Sequence, residues 1–209
     1  MRKSTIDSGI YLIIDPSMDE EILFSKLNLI VKEKIAAIQI WDNFKDNQNL
    51  EELLLKIYAK TSLHNIPLLI NNRWEILKQI PLDGIHFDEI PENFNRIKKE
   101  INRDFITGIT CNNDLSTIEY AEKHQYEYIS FCSMFPSKTA NSCELVSFAT
   151  VQKAKSIFSG KIFLAGGIDL NTIENLDKLD YDGIAVVSGI MSAENPSETI
   201  KKYQQKIKK

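Results

Sequence analysis

Eight short apolar runs recur along this chain of 209 residues, and a segment with helical periodicity follows each of them. Most of the runs are rich in β-branched and aliphatic residues at successive positions, as expected for strands that are covered on both faces. We predict strands at Gly9–Ile14, Ile35–Ile40, Pro67–Asn71, Gly84–Phe87, Phe105–Thr110, Tyr128–Phe131, Ile162–Ala165 and Gly183–Val187.

The segments between the runs place apolar residues at helical spacing and carry start signals typical of helices. Asp19 precedes the first such segment as a plausible N-cap, and Asn195 precedes Pro196, which suits the first helical position. We predict helices at residues 19–34 and at Leu50–Thr61, Trp74–Ile80, Phe94–Ile101, Leu115–His124, Ser147–Ile157, Leu170–Leu176 and Pro196–Ile207.

Eight strand–helix repeats without a break in composition predict one closed parallel barrel, because crossovers between parallel strands are right-handed as a rule. We therefore expect an α/β fold, a (β/α)₈ TIM barrel that forms a single domain over residues 1–209. An open, doubly wound parallel sheet is the alternative that the same pattern allows.

The composition is that of an ordinary globular chain, with 43% hydrophobic and 26% charged residues. The net charge of −4 argues against a nucleic acid or an anionic membrane as the partner. No apolar stretch follows Met1 as in a secretory signal, and none approaches the ~20 residues of a membrane span. A cytoplasmic protein is the expectation.

The three cysteines, Cys111, Cys132 and Cys143, are odd in number and lack CxxC spacing. Neither a disulfide framework nor a zinc site is indicated by that pattern. The oligomeric state is left open by the sequence, and a homo-oligomer is possible.

Two pairs of small residues end the last two predicted strands. Gly166 and Gly167 leave their backbone N–H groups uncovered by any Cβ, and Ser188 with Gly189 adds a hydroxyl and a helix start at the next strand end. The loops after strands 7 and 8 of a (β/α)₈ barrel commonly form a phosphate site. The expected ligand therefore carries a phosphate.

The other predicted strand ends are rich in amides and hydroxyls and poor in cationic groups, which suits a polar organic ligand with a single phosphate. A polar connection without helical periodicity, residues 132–145, follows the sixth strand. Because long loops on the catalytic face of a barrel are usually functional, we predict a lid there.

Taken in order, the strand-end motifs resemble those of the thiamine-phosphate synthase superfamily, which includes the related thiazole tautomerases. The resemblance covers nearly the whole chain; each motif is weak alone, and eight in order are strong. The motifs are Tyr11–Pro16, Ile38–Ile40, Ile66–Arg73, Asp83–His86, Gly108–Thr110, Phe135–Thr139, Ala165–Ile168 and Ala185–Ser188.

The resemblance implies a reaction that joins the two halves of thiamine phosphate. A hydroxymethylpyrimidine diphosphate loses pyrophosphate with the help of Mg²⁺, and the ring nitrogen of a thiazole phosphate captures the pyrimidine cation. By position, the implied thiazole-phosphate contacts are Gly166, Gly167, Val187, Ser188 and Gly189, and the loop contacts are Ser137, Lys138 and Thr139. The implied pyrimidine-side contacts are Gln39, Asn71 and Thr110.

The positions that resemble the family's diphosphate machinery are altered. Trp41 and Asn43 stand where the family pattern has Arg and Lys, and both remain candidate substrate contacts. Three interpretations of Trp41 stay open: a hydrophobic residue that faces the lid, a stacking partner for an aromatic heterocycle, or part of an oligomer interface.

Asn72 stands in place of a Mg²⁺-binding Asp. Pro91 falls near the place of a second carboxylate, and Asp88, Glu89 and Glu92 are the stand-ins nearby, of which we take Asp88. Asn72 and Asp88 are therefore the candidate metal ligands.

Two functions remain open on these residues. One is a diverged synthase, and the other is a relative that binds a phosphorylated thiazole or a similar heterocycle without diphosphate chemistry. Asn112 stands where the tautomerases use a catalytic His, and a neutral amide cannot shuttle a proton as His does. His86, as a lone histidine, is interpreted as structural, and no catalytic residue is assigned.

Overall fold

The computed structural model describes residues 5–136 and 144–207. Its eight strands are all parallel and close into a barrel in sequence order, with β8 beside β1, which confirms the predicted (β/α)₈ fold. The strands are β1 (Gly9–Ile14), β2 (Ala37–Ile40), β3 (Leu68–Asn71), β4 (Gly84–Phe87), β5 (Ile106–Cys111), β6 (Tyr128–Cys132), β7 (Lys161–Ala165) and β8 (Gly183–Val186).

Side chains alternate between the two surfaces of the barrel, because successive residues of a strand point to opposite faces. On β1, Ile10, Leu12 and Ile14 join the large aliphatic core between the barrel and its helices. Tyr11 belongs instead to a separate, smaller cluster inside the barrel, and Ile13 packs against that cluster. The interior cluster forms the floor on which the strand ends build a site.

The helices cover the outer surface of the barrel. They are α1 (Glu20–Ile30), α2 (Leu50–Leu63), α3 (Phe94–Ile101), α4 (Leu115–Lys123), α5 (Phe148–Ile157), α6 (Ser188–Met191) and α7 (Pro196–Lys206). Both predicted N-caps form: the Asp19 carboxylate accepts the N–H of Ile22, and the Asn195 side chain accepts the N–H of Glu198. Within the described residues, no helix has the length and apolar character needed to cross a bilayer.

Two predicted helices are 3₁₀ helices in the structure, Trp74–Lys78 and Ile173–Lys178. The first lies between β3 and β4, in the shortest connection of the barrel, where one or two tight turns suffice. At the second, the Asp169 carboxylate accepts the N–H groups of Asn171 and Thr172 and fixes a turn ahead of the helix. These segments are therefore shorter and more tightly wound than periodicity alone indicates.

Candidate functional site

A cavity of about 880 Å³ opens at the carboxyl ends of the strands. That volume falls within the range of small-molecule sites. Ten of the residues singled out in the sequence line it: Gln39, Trp41, Asn71, Asp88, Thr110, Gly166, Gly167, Val187, Ser188 and Gly189.

The remaining candidates lie elsewhere. Asn72 lines a neighbouring surface groove, and Asn43 donates to the Asp15 carboxylate at 3.0 and 3.1 Å instead of lining the cavity. Ser137, Lys138 and Thr139 fall outside the described residues, as does half of the predicted lid, residues 137–143.

One side of the cavity is built from backbone. We call Gly166, Gly167, Val187, Ser188 and Gly189 the cradle wall. Gly166 and Gly167 have φ of 84° and 66°, the left-handed region that favours glycine. Because Ser188 and Gly189 are the first residues of α6, their N–H groups have no acceptor within that helix. N–H groups of this kind suit an anion.

Gly166 and Gly167 also leave room for the loop that follows β6. A Cβ on Gly167 would lie 2.6 Å from the carbonyl oxygens of both Phe135 and Pro136. The Phe135 N–H donates to the Gly166 carbonyl at 3.0 Å. Positive φ and this close approach together explain why the turn requires glycine.

The other side of the cavity is built from side chains that form one continuous run of hydrogen bonds, which we call the polar chain. The Tyr11 hydroxyl donates to Gln39 Oε1 at 2.7 Å and lies 2.7 Å from the Tyr128 hydroxyl. The Tyr128 oxygen is 2.9 Å from His86 Nδ1, and His86 Nε2 is 2.8 Å from Thr110 Oγ1. The chain joins β1, β2, β4, β5 and β6.

Burial keeps the polar chain uncharged at neutral pH. Gln39, Tyr11, Tyr128 and His86 are each exposed by 5% or less. Burial lowers the pKa of His86 to about 4, against a smaller opposing effect of the Asp88 carboxylate. Burial likewise raises the pKa of Tyr11 and of Tyr128 above the ordinary tyrosine value. His86 is therefore a neutral imidazole with one ring hydrogen.

The sequence reasoning missed Tyr11 and Tyr128, both of which line the cavity. Tyr11 lies between Ile10 and Leu12, and Tyr128 is followed by an isoleucine, so the alternation of side chains along a strand was the available signal. Gly108, beside Tyr128 on the neighbouring strand, was a second signal: a Cβ there would lie 1.9 Å from the Tyr128 ring. Gly108 provides the space in which that ring lies.

The two candidate metal ligands meet, but as a hydrogen-bonded pair. Asn72 Nδ2 donates to Asp88 Oδ2 at 2.8 Å, and Asn71 Nδ2 donates to Asp88 Oδ1 at 3.1 Å. Amide donors thus occupy both carboxylate oxygens, which does not fit a Mg²⁺ ion held between Asn72 and Asp88. Among the residues described, no group of three or more His, Cys, Asp or Glu side chains is placed to hold a metal ion.

The charged side chains in the described lining of the cavity are all acidic. Its charged residues in the described part of the chain are four acids, Asp88, Glu89, Glu144 and Asp169, and no Lys or Arg of that part lines it. The nearby cation Arg73 is engaged by Asp42, with Nε 2.6 Å from Oδ1. A polyanionic ligand therefore finds little side-chain compensation in the described lining.

Several known proteins are similar to this chain along most of its length. A family model described as thiamine monophosphate synthase matches residues 10–190. The chain is 25% identical to a thiamine-phosphate synthase of Methanobrevibacter smithii, over 92% of each chain. It is 29% identical to one of Clostridium tetani, over 93% of each.

Among solved structures, the fold is similar to a thiamine phosphate pyrophosphorylase of Pyrococcus furiosus, with a TM-score of 0.80 at 19% identity. That alignment covers 95% of this chain and 94% of the other. A tryptophan synthase α-subunit of the same organism aligns with a TM-score of 0.69 at 15% identity, over 97% of this chain and 98% of the other. Both likenesses concern the barrel fold.

Proposed function

This chain belongs to the thiamine monophosphate synthase family, and we propose that it is a thiamine-phosphate synthase-like transferase that joins a pyrimidine and a thiazole phosphate. The observation that carries the proposal is the pairing of two different walls around one cavity. The cradle wall offers backbone N–H groups and no side-chain charge, while the polar chain offers side-chain hydrogen-bonding groups.

The thiazole phosphate belongs at the cradle wall. Backbone N–H groups at a glycine turn and at a helix start bind a phosphate without needing a cationic side chain. The Ser188 hydroxyl is exposed at the same place and adds a further donor. A single phosphate carries less negative charge than a diphosphate, so the acids of the described lining oppose it less.

The pyrimidine belongs beside the polar chain. Gln39 and Thr110 are the two ends of the polar chain, and both line the cavity next to Tyr11 and Tyr128. Trp41 lines the cavity near Gln39 on the same strand connection and is placed to stack on a heterocycle. The ring of the pyrimidine would thus meet both an aromatic surface and oriented polar groups.

In the proposed reaction, the thiazole ring nitrogen forms a bond to the pyrimidine methylene carbon, and the bond from that carbon to the diphosphate oxygen breaks. The electron pair of the broken bond leaves with pyrophosphate. The described residues contribute positioning and exclusion of water. Phe163, Ala165 and Ala185 form an apolar floor to the cavity, which protects a cationic intermediate from water.

A second candidate function is binding of a thiazole phosphate without diphosphate chemistry. The observation that favours it is the acidic lining together with the amide-bound Asp88 carboxylate. Charge-assisted contacts to a diphosphate are typically worth about 1.5–3 kcal/mol each, and the described lining provides none from Lys or Arg.

Turnover separates the two candidates. Purified protein given hydroxymethylpyrimidine diphosphate, thiazole phosphate and Mg²⁺ is expected to release pyrophosphate and form thiamine phosphate. The absence of turnover above the rate without protein would reject the synthase function. In that case, thermal stabilisation by thiazole phosphate alone would support the binding function.

The cradle wall is tested separately by Ser188→Glu. Ser188 is exposed at the start of α6, where an acidic side chain is tolerated, so the fold should persist. A carboxylate there repels the phosphate, and we expect thiazole-phosphate affinity to fall about 10–100-fold, or about 1.4–2.7 kcal/mol. Ser192→Glu, just after the same helix, is the control and should bind normally. Equal affinity in both variants would place the phosphate elsewhere.

A further inference from the structure

In the polar chain, the hydroxyl and imidazole hydrogens are equal in number to the hydrogen bonds. It has four contacts, between Gln39 and Tyr11, Tyr11 and Tyr128, Tyr128 and His86, and His86 and Thr110. The two tyrosine hydroxyls, the threonine hydroxyl and the neutral imidazole supply one hydrogen each. With Gln39 contributing its oxygen, every contact uses one of these four hydrogens, and the direction of one contact fixes the direction of all.

Gln39 sets that direction. Its amide oxygen faces the Tyr11 hydroxyl and can only accept, so Tyr11 donates to it. The Tyr11 oxygen then accepts the hydrogen of Tyr128, and the Tyr128 oxygen accepts from His86 Nδ1. His86 Nε2 is left without a hydrogen and accepts from the Thr110 hydroxyl.

The two ends of the polar chain consequently present opposite groups to the cavity. The Gln39 amide nitrogen forms no hydrogen bond with another residue in the described part of the chain, although Gln39 is only 3% exposed. It has N–H donors to offer to a ligand. The Thr110 hydroxyl donates its hydrogen to His86, so only its lone pairs are available to a ligand.

We propose that His86 is a positioning residue that, through Tyr128 and Tyr11, holds Gln39 as a donor and Thr110 as an acceptor. The cavity then selects a heterocycle that offers an acceptor to Gln39 and a donor to Thr110. This inference rests on the proposed pyrimidine site, because an aminopyrimidine carries both ring-nitrogen acceptors and an amino donor. The corresponding pyrimidinone has a carbonyl in place of the amino group and a hydrogen on a ring nitrogen.

Accommodating the opposite pattern is costly. The Gln39 amide must turn over, His86 must move its hydrogen from Nδ1 to Nε2, and both tyrosine hydroxyls must reverse. A ligand that leaves these buried groups unpaired loses their hydrogen bonds outright. Sites built around such groups discriminate strongly against analogues that lack the matching partner.

The tautomer of His86 gives a direct test that needs no ligand and no turnover. In ¹⁵N-histidine-labelled full-length protein at neutral pH, we expect a protonated Nδ1 and a bare Nε2 for His86. The chain has three histidines, so His64→Gln and His124→Gln assign the spectrum without altering the cavity. A protonated Nε2, or both tautomers in comparable amounts, would overturn the proposal.

A second test uses two probes, a hydroxymethyl aminopyrimidine and its pyrimidinone analogue. Wild-type protein should bind the amino compound at least about 30-fold more tightly. Tyr11→Phe removes the donor that holds the Gln39 oxygen, so this preference should fall at least about tenfold while thiazole-phosphate affinity stays unchanged. Tyr126→Phe, a buried tyrosine outside the cavity, is the matched control. A preserved preference in Tyr11→Phe, or no preference in the wild type, would contradict the inference.

These results separate from those of the proposed reaction. A preference for the aminopyrimidine together with the expected tautomer, but without release of pyrophosphate, would support the inferred direction of the polar chain and reject the synthase function. Turnover by a protein that has the reversed tautomer would support the synthase function and reject the positioning role of His86.

Discussion

The two walls of the cavity are made in different ways. The cradle wall presents backbone groups, from two glycines at positive φ and from the first residues of α6. The polar chain is a matter of side chains contributed by five strands, and each member depends on its neighbour for a hydrogen-bond partner. A backbone site tolerates change in most surrounding side chains, whereas a side-chain network fails when any member is lost.

The difference predicts where mutations and pH act. Changes at the polar chain should affect stability and pyrimidine recognition together, because its members are also part of the barrel interior. Changes at the cradle wall that leave its glycines in place should affect phosphate binding with little effect on the fold.

Acidification gives the largest expected effect on the polar chain. Burial depresses the pKa of His86 in the folded protein to about 4, while its ordinary value is 6.5. Between these values the unfolded chain binds the extra proton, so stability is full above about pH 6.5 and falls as pH decreases towards 4. The loss attributable to His86 is up to about 3 kcal/mol.

Denaturant unfolding at pH 7 and pH 4.5 measures this loss. His86→Gln should show a shallower change between the two pH values than the wild type, and His64→Gln should not. Equal pH dependence in the wild type and His86→Gln would mean that the imidazole is not kept neutral by burial.

Filling the space at Gly108 is expected to have the next largest effect. Gly108→Ala places a methyl group against the buried Tyr128 ring, whose hydroxyl is hydrogen-bonded to both Tyr11 and His86. Overpacking of this kind typically costs about 1–3 kcal/mol. We expect about 2–3 kcal/mol in chemical denaturation, together with weakened pyrimidine binding and unchanged thiazole-phosphate binding.

A double-mutant cycle makes the Gly108 prediction specific to the ring. In a Tyr128→Ala background the space is open, and the added cost of Gly108→Ala should fall below about 1 kcal/mol. The same cost in both backgrounds would trace the effect to the strand backbone and not to the polar chain.

The contrast between the walls also explains how much the sequence could predict. The barrel, its strand order and the cradle wall follow from local signals: apolar runs, caps and pairs of small residues at strand ends. Tyr11 and Tyr128 were missed because a buried tyrosine in an apolar strand resembles core, and only the barrel's closure brings their hydroxyls within 2.7 Å. His86 is interpreted from the sequence as structural, and its hydrogen-bond partners lie on other strands, where the sequence around His86 does not reveal them.

Asn43 and Asn72 illustrate the same limit from the other direction. A resemblance at the motif level places both in a substrate or metal site, yet the structure engages Asn43 with Asp15 and Asn72 with Asp88. A motif determines the position of a residue's backbone at the end of its strand. The partner that a polar side chain finds depends on which residues the neighbouring loops bring near it.

The smallest expected effect concerns the carboxylate beside the polar chain. Asn72→Asp replaces the amide 2.8 Å from Asp88 with a second carboxylate, in a backbone conformation that Asp also tolerates. Two carboxylates at this distance raise the pKa of one of them, so the variant should lose about 1 kcal/mol as pH rises through that value. Millimolar Mg²⁺ should restore the loss in the variant and leave wild-type stability unchanged, because the wild-type carboxylate already has two amide donors. Asn65→Asp, at a matched φ of 58°, is the control for the backbone. Stabilisation of the wild-type protein by Mg²⁺ would show that Asp88 exchanges its amide partners for a cation, and the polar side of the cavity would then be open to a diphosphate.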